Sequence, residues 1–526
     1  MKTLLAAVLS FAMLGTPVYA QTAQTVAPQT TAQTSTAAQL QALQAQLDAL
    51  KAQIDAIKAQ QLQQQQAPPP AATAPPEQFL RMKPGKSVTF LFGKRDEVTL
   101  YGHIDVSADD TTKGLANYYP FSGSGPVGNH SWMDDIASNS TYVGVRGSHK
   151  LGNGDNKIIY QVETGIAFTA QAGTVNSNST SDSVVNGALT TRPTYVGLES
   201  DAGRFFIGKT YSPLRLSTGR MNPFASQIGN YEVIMGNTGG DNRVEFGGLL
   251  DHSIWYESPT FGGLKINLLA SPGQNRSSDD SNIAAGEPDC TGQQLPGAGA
   301  LPPFCNDGSF GSAYSEALEF SHGPLYLTGA YEIHKKVNRV SDLANLDPND
   351  VADEDDLRTG LQYQLFGEST FNFVWEDFHR YVPAYLEYQN ERQRTGFWFA
   401  WTQHLAPTWN FDIGWARANP TPGDPGQHNT PATANPNNMA NMYTFDFKHK
   451  FDEHFGWYVA YADTVNHAAA HYDLGAGGHG VTTDCHDATT EAAFDATVIP
   501  PVSGTGPHCY AGGHLQGVST GLTLNF

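Results

Sequence analysis

The sequence lacks several things. After its first twenty residues no stretch approaches the ~18 apolar residues of a membrane-spanning helix. Charge is scarce at 15%, and basic charge scarcer still: 30 Lys and Arg stand against 51 Asp and Glu, for a formal net charge of -21. So acidic a chain is a poor nucleic-acid binder, which needs basic patches. No G-x-S-x-G elbow occurs, and no other catalytic constellation is visible; the expectation is that the protein is not an enzyme and carries no cofactor. A surface protease or lipase barrel is the rival enzyme class.

Glycine (53), Phe (27) and Tyr (22) are plentiful instead. The chain opens with Lys2, an apolar core from Leu4 to Leu14, and Val18-Tyr19-Ala20, a small-residue cleavage site. Residues 1–20 therefore read as a secretory signal peptide, and no cysteine near the site offers a lipid anchor. A mean hydropathy of -0.37 suits a barrel whose lipid-facing apolar residues alternate with a polar lumen.

Residues 21–36 are Gln, Thr, Ala and Ser and are expected to be disordered. Leu40, Leu43, Leu47, Leu50, Ile54 and Ile57 then recur at alternating spacings of three and four, the a and d positions of a coiled coil over 37–66. Three heptads need partners to be stable. Ile at both a and d in the last heptad leans towards three strands, the alternative being a helix folded onto its own chain. Pro68-Pro69-Pro70 and Pro75-Pro76 form a stiff spacer, so 67–97 reads as linker and lead-in, with 87–92 a short strand outside the main domain.

The last ten residues alternate: Val518, Thr520, Leu522, Leu524 and Phe526 on one face, Gly517, Ser519, Gly521, Thr523 and Asn525 on the other. Fifteen similar segments precede them from Val98 onward. Short turns such as Leu151-Gly152-Asn153-Gly154 and Phe366-Gly367 alternate with long polar connections such as 107–140, 271–312 and 465–516. Sorting by length is the turn-and-loop asymmetry of an outer-membrane barrel, and an even count closes it. The expected fold is all-β: a 16-stranded antiparallel transmembrane β-barrel over 98–526, preceded by the short helical coil.

These segments resemble the general trimeric porins of Gram-negative bacteria. The resemblance is carried by Leu100-Tyr101-Gly102, by Tyr142-Val143-Gly144-Val145-Arg146-Gly147-Ser148 with Leu151-Gly152, and by Tyr195-Val196-Gly197-Leu198 with Phe206-Ile207-Gly208-Lys209. Most specific is Ser253-Ile254-Trp255-Tyr256-Glu257-Ser258-Pro259. The terminal Phe526 resembles the family's sorting signal for the barrel assembly machinery. The resemblance implies a homotrimer in the outer membrane, among lipid and lipopolysaccharide, passing ions and small hydrophilic solutes. The coil would lie in the periplasm, with the cell wall as a candidate contact.

The family folds its third long loop into the lumen, where its acids face basic wall residues. Here that loop is about 210–250, with Glu232, Asp241, Arg215, Arg220 and Arg243; the resemblance places His103, Tyr142 and Lys209 on the wall. Arg146 shares a face with Tyr142, and Asp105 and Glu163 point inward. Lys209 breaks strict alternation with Arg204, so a bulge or strand end is expected there. With these acids at the constriction, a modest cation preference is expected, shifting towards anions as His103 protonates near its ordinary pKa of about 6.5.

Cys290 and Cys305 lie in one long loop and Cys485 and Cys509 in another. In an oxidising compartment they read as two intra-loop disulfides. His467, His471, His479 and His486 in the last loop are weak metal candidates. Two other function classes fit parts of the sequence: a structural tether working through the coil, and a substrate-specific channel with an aromatic ladder drawn from Tyr381, Tyr385, Tyr388 and Trp398.

Overall fold

The computed structural model describes most of 44–58, then 80–82, 88–114, 131–166, 168–169, 192–236, 246–272, 310–338, 351–382, 393–421, 439–467, 470, 472–475 and 514–526. The chain divides into two compact units, Met1–Glu77 and Gln78–Phe526. In the first, the described residues of 44–58 are helical. The heptad a residues Leu47 and Ile54 stand 48% and 45% exposed.

The second unit is built from strands. β1 (Leu80–Met82) and β2 (Val88–Phe92) form a hairpin. Next come β3 (Asp96–Gly114), β4 (Ser131–Ser138), β5 (Tyr142–Lys150), β6 (Lys157–Gly165), β7 (Thr194–Ser200), β8 (Gly203–Tyr211), β9 (Leu249–Glu257) and β10 (Leu264–Pro272). The second half holds β11 (Ser312–His322), β12 (Leu325–Asn338), β13 (Val351–Leu365), β14 (Ser369–Arg380) and β15 (Arg394–Ala406). It ends with β16 (Trp409–Ala418), β17 (Ala440–Lys450), β18 (Phe455–Asn466) and β19 (His514–Asn525). Each strand from β5 to β19 pairs antiparallel with its successor, and β19 closes on β3. With β3 pairing β5, the ring is a closed barrel of sixteen staves. Closure leaves no open edge in the ring of sixteen staves, which lipid requires.

The pleat explains why this sequence closes. Leu100, Val145, Val162, Val196, Leu198, Phe205, Ile207, Leu318, Phe373, Phe399, Phe445 and Leu522 are exposed on the outer surface, and the residues between them point inward. In the turn Leu365–Glu368, Phe366 (φ 51) and Gly367 (φ 75) both take the left-handed conformation of a type I′ turn.

Two irregularities matter. The segment 107–140, expected as a connection, holds the upper half of β3 and all of β4. β4 continues β5 along the same edge of β3, interrupted where Ile104 and Asp105 face Asn139, Ser140 and Thr141. That bulge admits Ser140 at φ 47. The second lies between β8 and β9, where the register shifts between Gly208 and Thr210. It falls at Lys209, where alternation predicts a break.

Between β8 and β9 the chain runs along the inner wall. Ser212 caps helix α1 (Pro213–Gly219), which has proline in its first turn; the short helix α2 (Glu232–Met235) follows. Met221, Phe224, Tyr231, Ile234 and Met235 bury themselves against Tyr326, Val374, Trp398, Ala400, Ala416 and Met442 of the wall. Small wall residues make this close approach possible: a Cβ at Gly414 would collide with the rings of Trp398 and Phe224.

Candidate functional site

The inner segment is fixed at both helices and between them. Tyr326 Oη lies 2.8 Å from the Ser217 carbonyl. Trp398 Nε1 donates to the Met221 carbonyl at 3.0 Å, and Lys448 Nζ to that of Pro223 at 2.5 Å. At the end of α2, Arg394 donates to the Ile234 carbonyl and Arg358 to that of Met235 at 3.3 Å. A helix end leaves its last carbonyls without internal partners, and these guanidinium groups supply them. Arg358 and Arg394 are held in turn by Glu376 at 3.1 Å each. Finally, the Gly229 amide donates to the Leu474 carbonyl at 2.7 Å, so a piece of the last long connection clasps the segment's tip.

The segment thus covers the wall from β10 to β17 and leaves the wall of β3 and β5–β7 facing the lumen. There the structure brings together His103, Tyr142, Arg146 and Glu163. Arg146 is exposed and stacks over Tyr101, 4.8 Å from the ring centre. Tyr101 Oη donates to Glu163 Oε2 at 2.9 Å. The His103 ring lies 5.8 Å from Tyr142, with Nδ1 2.8 Å from Asn525 Oδ1.

Arg192, which no spacing singled out, completes the group. It pairs with Glu163 at 2.6 Å and stacks 4.5 Å over Tyr142. It sits in Thr191-Arg192-Pro193 just before β7, so proximity to a strand start was its sole signal.

The three expected acids among the described residues, Asp105, Glu163 and Glu232, do not line the lumen as free charges. Asp105 points inward but is 2% exposed. It lies on β3 opposite the bulge between β4 and β5, where Tyr458 Oη (3.0 Å) and Asn139 Nδ2 (3.3 Å) donate to its carboxylate. Glu163 is engaged by Arg192, and Glu232 pairs with Arg215 at 3.1 Å. Lys209 lies 2.7 Å from Asp251.

Of the proposed aromatic ladder, Trp398 is fully buried beneath the inner segment, and Tyr381 Oη donates to Asp355 at 2.7 Å. Tyr231, on the inner segment, is completely buried against Trp398, which pushes its hydroxyl up to about 12. Asp241, Tyr385, Tyr388, Cys290, Cys305, Cys485, Cys509, His471, His479 and His486 lie outside the described residues. His467 follows β18, its amide bonded to the Met439 carbonyl. Among the described residues no group of three His, Cys, Asp or Glu could hold a metal ion.

The family model for the Gram-negative porin matches residues 71–469. The chain belongs to the Gram-negative porin family. Its barrel therefore sits in the outer membrane. This porin is 26% identical over 188 residues to the major outer membrane protein P.IB of Neisseria sicca; the match covers 36% of this chain and 45% of that protein, less than half the relative's length. Among solved structures it is similar to the anion-selective porin from Comamonas acidovorans, with a TM-score of 0.53 at 15% identity over 82% of this porin and 100% of the other. It is also similar to the trimer form of OmpT of Vibrio cholerae, with a TM-score of 0.45 at 12% identity over 82% and 100%. The family and the fold are those of channel proteins.

Proposed function

We propose that this porin forms a water-filled channel for passive diffusion of ions and small hydrophilic solutes, narrowed by the inner segment. The observation that carries this reading is a polar wall, with exposed Arg146 beside Tyr101, His103 and Tyr142, opposite a segment bonded to the far wall. A modest cation preference was expected from Asp105, Glu163, Glu232 and Asp241. The geometry supports the opposite sign. The three described acids are covered or paired, whereas Arg146 and Arg220 are exposed and have no acid partner among the described residues. Charges at the narrowest point outweigh the acidic total, because distant charges are screened beyond about 8 Å at physiological salt.

The chain would assemble as a homotrimer, supported by exposed Leu47 and Ile54 on a helix with a coiled-coil repeat. The coil would lie in the periplasm and the outer rim among lipopolysaccharide, with Phe526 read by the barrel assembly machinery. Planar-bilayer recording in a salt gradient tests the reading. Discrete ohmic steps with a reversal potential on the anion side are expected. Absence of steps overturns the channel, and a cation-side potential overturns the sign.

A further inference from the structure

Two constellations on opposite sides of the lumen share one design. On the first stave pair, Arg146 lies 4.8 Å over the ring of Tyr101, whose hydroxyl donates to Glu163 at 2.9 Å. On the far side, Arg220 at the end of α1 lies 4.1 Å over the ring of Tyr326, whose hydroxyl is 2.7 Å from Glu319 Oε2 and is shared with the Ser217 carbonyl. A tyrosine that donates to a carboxylate has a more electron-rich ring. It holds a guanidinium more firmly against its face.

Arg220 is further braced by Gln362, which accepts from Nε at 3.1 Å and is itself bonded to Asn372 at 2.7 Å. Both guanidinium groups are exposed, and among the described residues neither has an ion pair. The nearby acids are committed elsewhere: Glu163 to Arg192, Glu319 to Tyr326 and the Asn267 amide. Arg215, on the same helix as Arg220, is paired with Glu232.

The topology sets these arginines against each other. Arg146 is on β5, the second stave. Arg220 is tied to β12 and β13 through Tyr326 and Gln362, the ninth and tenth staves, half-way round a ring of sixteen. Sixteen strands spaced ~4.8 Å and tilted ~40° make a ring roughly 32 Å across between backbones. The inner segment, which carries Arg220, narrows that width from the far side.

We propose that Arg146 and Arg220 form one two-point site for elongated organic dianions, a site that rests on the diffusion-channel reading above. Each stacked guanidinium presents a planar fork suited to an oxyanion. A solute with an anionic group at each end engages both, and the second contact is intramolecular, so it adds dwell time without a new kind of contact. That gain is largest when the solute's length matches the span. A monoanion gains nothing from the second post.

The test uses the full-length protein in planar bilayers, with butane-1,4-disulfonate and its longer and shorter homologues as dianions and butane-1-sulfonate as the monoanion. Sulfonates keep their charge at every working pH. In the wild type the best disulfonate should interrupt the current at about one tenth of the monosulfonate concentration, or less, with a clear optimum in chain length. Arg146→Gln and Arg220→Gln should each abolish that preference of disulfonate over monosulfonate, and act no more strongly on it when combined. Arg220→Lys, which keeps the charge but loses the fork, should retain part of the preference. A wild-type channel that conducts but is blocked equally by both probes overturns the two-point site and leaves the channel standing. So do variants whose effects simply multiply. A folded protein without conductance overturns the channel reading itself, and the site with it.

Discussion

Replacing Trp398 by alanine isolates what the inner segment contributes to the channel. Trp398 is fully buried, stacks on Tyr231 at 5.2 Å, meets Phe224 edge-on at 5.8 Å, and donates to the Met221 carbonyl. Removing a buried Trp side chain costs about 3–5 kcal/mol. The Met221 carbonyl, left buried without its donor, accounts for about 1–3 kcal/mol of such a loss when taken alone. The two overlap, so ~4 kcal/mol is a fair magnitude. The ladders β14–β15 and β15–β16 that flank Trp398 use backbone groups only, so the barrel keeps its closure and the loss falls on the segment.

At about 1.4 kcal/mol per tenfold, excursions of the segment from the wall should become roughly a thousandfold more frequent. Trp398→Phe, which keeps the ring contacts but loses the N–H, should increase them only about ten- to hundredfold. Gly414→Ala should act in the same direction from beneath, by overpacking worth about 1–3 kcal/mol. The readout is current noise in single open channels at fixed voltage, with retention of the heat-modifiable folded form on gels as the control for barrel integrity. A quiet Trp398→Ala channel with an intact barrel would refute the claim that this side chain pins the segment.

Three further outcomes are expected. Deleting Phe526 should reduce membrane assembly, because its backbone exchanges two hydrogen bonds with Gly102, at 3.0 and 3.1 Å; normal membrane levels of the truncated chain would count against a role in closure. Removing residues 37–66 should lower the temperature at which trimers separate without abolishing conductance, and an unchanged separation temperature would leave the coil without a role in assembly. In alkaline titration Tyr231 should stay protonated after exposed tyrosines have ionised near pH 10. Its raised value of about 12 favours the neutral form in the folded state. Its contribution is therefore complete below about pH 10 and lost as pH rises through 12, visible as a late phenolate absorbance step, shared with Tyr381, whose hydroxyl is raised beside Asp355, that Tyr231→Phe reduces by one tyrosine.

How much was legible follows from which forces leave a local trace. The staves could be counted because lipid on one side and water on the other impose alternation, as in Val143-Gly144-Val145-Arg146. The irregularity at Lys209 was legible for the same reason, since two charges at odd spacing cannot share a face. Above the apolar belt that constraint disappears. Asp109-Asp110-Thr111-Thr112 is polar on both faces of β3, so the extension of β3 and the whole of β4 read as loop. The covering of Asp105 was illegible because Tyr458 and Asn139 reach it from 353 and 34 residues away. Arg192 and the pairing of Glu232 with Arg215 were hidden likewise: sequence shows that charges are present, and only the fold shows which cancel.

The hairpin of β1 and β2 has a bearing on how the barrel comes into being. β3 is the first stave made and β19 the last, so the edge of β3 that awaits β19 must stand open while the rest of the chain is laid down. An open edge is a template for any passing strand, and pairing partners over 400 residues apart is slow. β2 pairs Asp96–Leu100 along that same edge, so five residues of it are occupied by a neighbour a few residues away. Only His103–Thr111 remains for β19. The hairpin therefore acts as a gauge for the final join: a β19 that slides too far down runs into β2, and the stop leaves Phe526 beside Gly102.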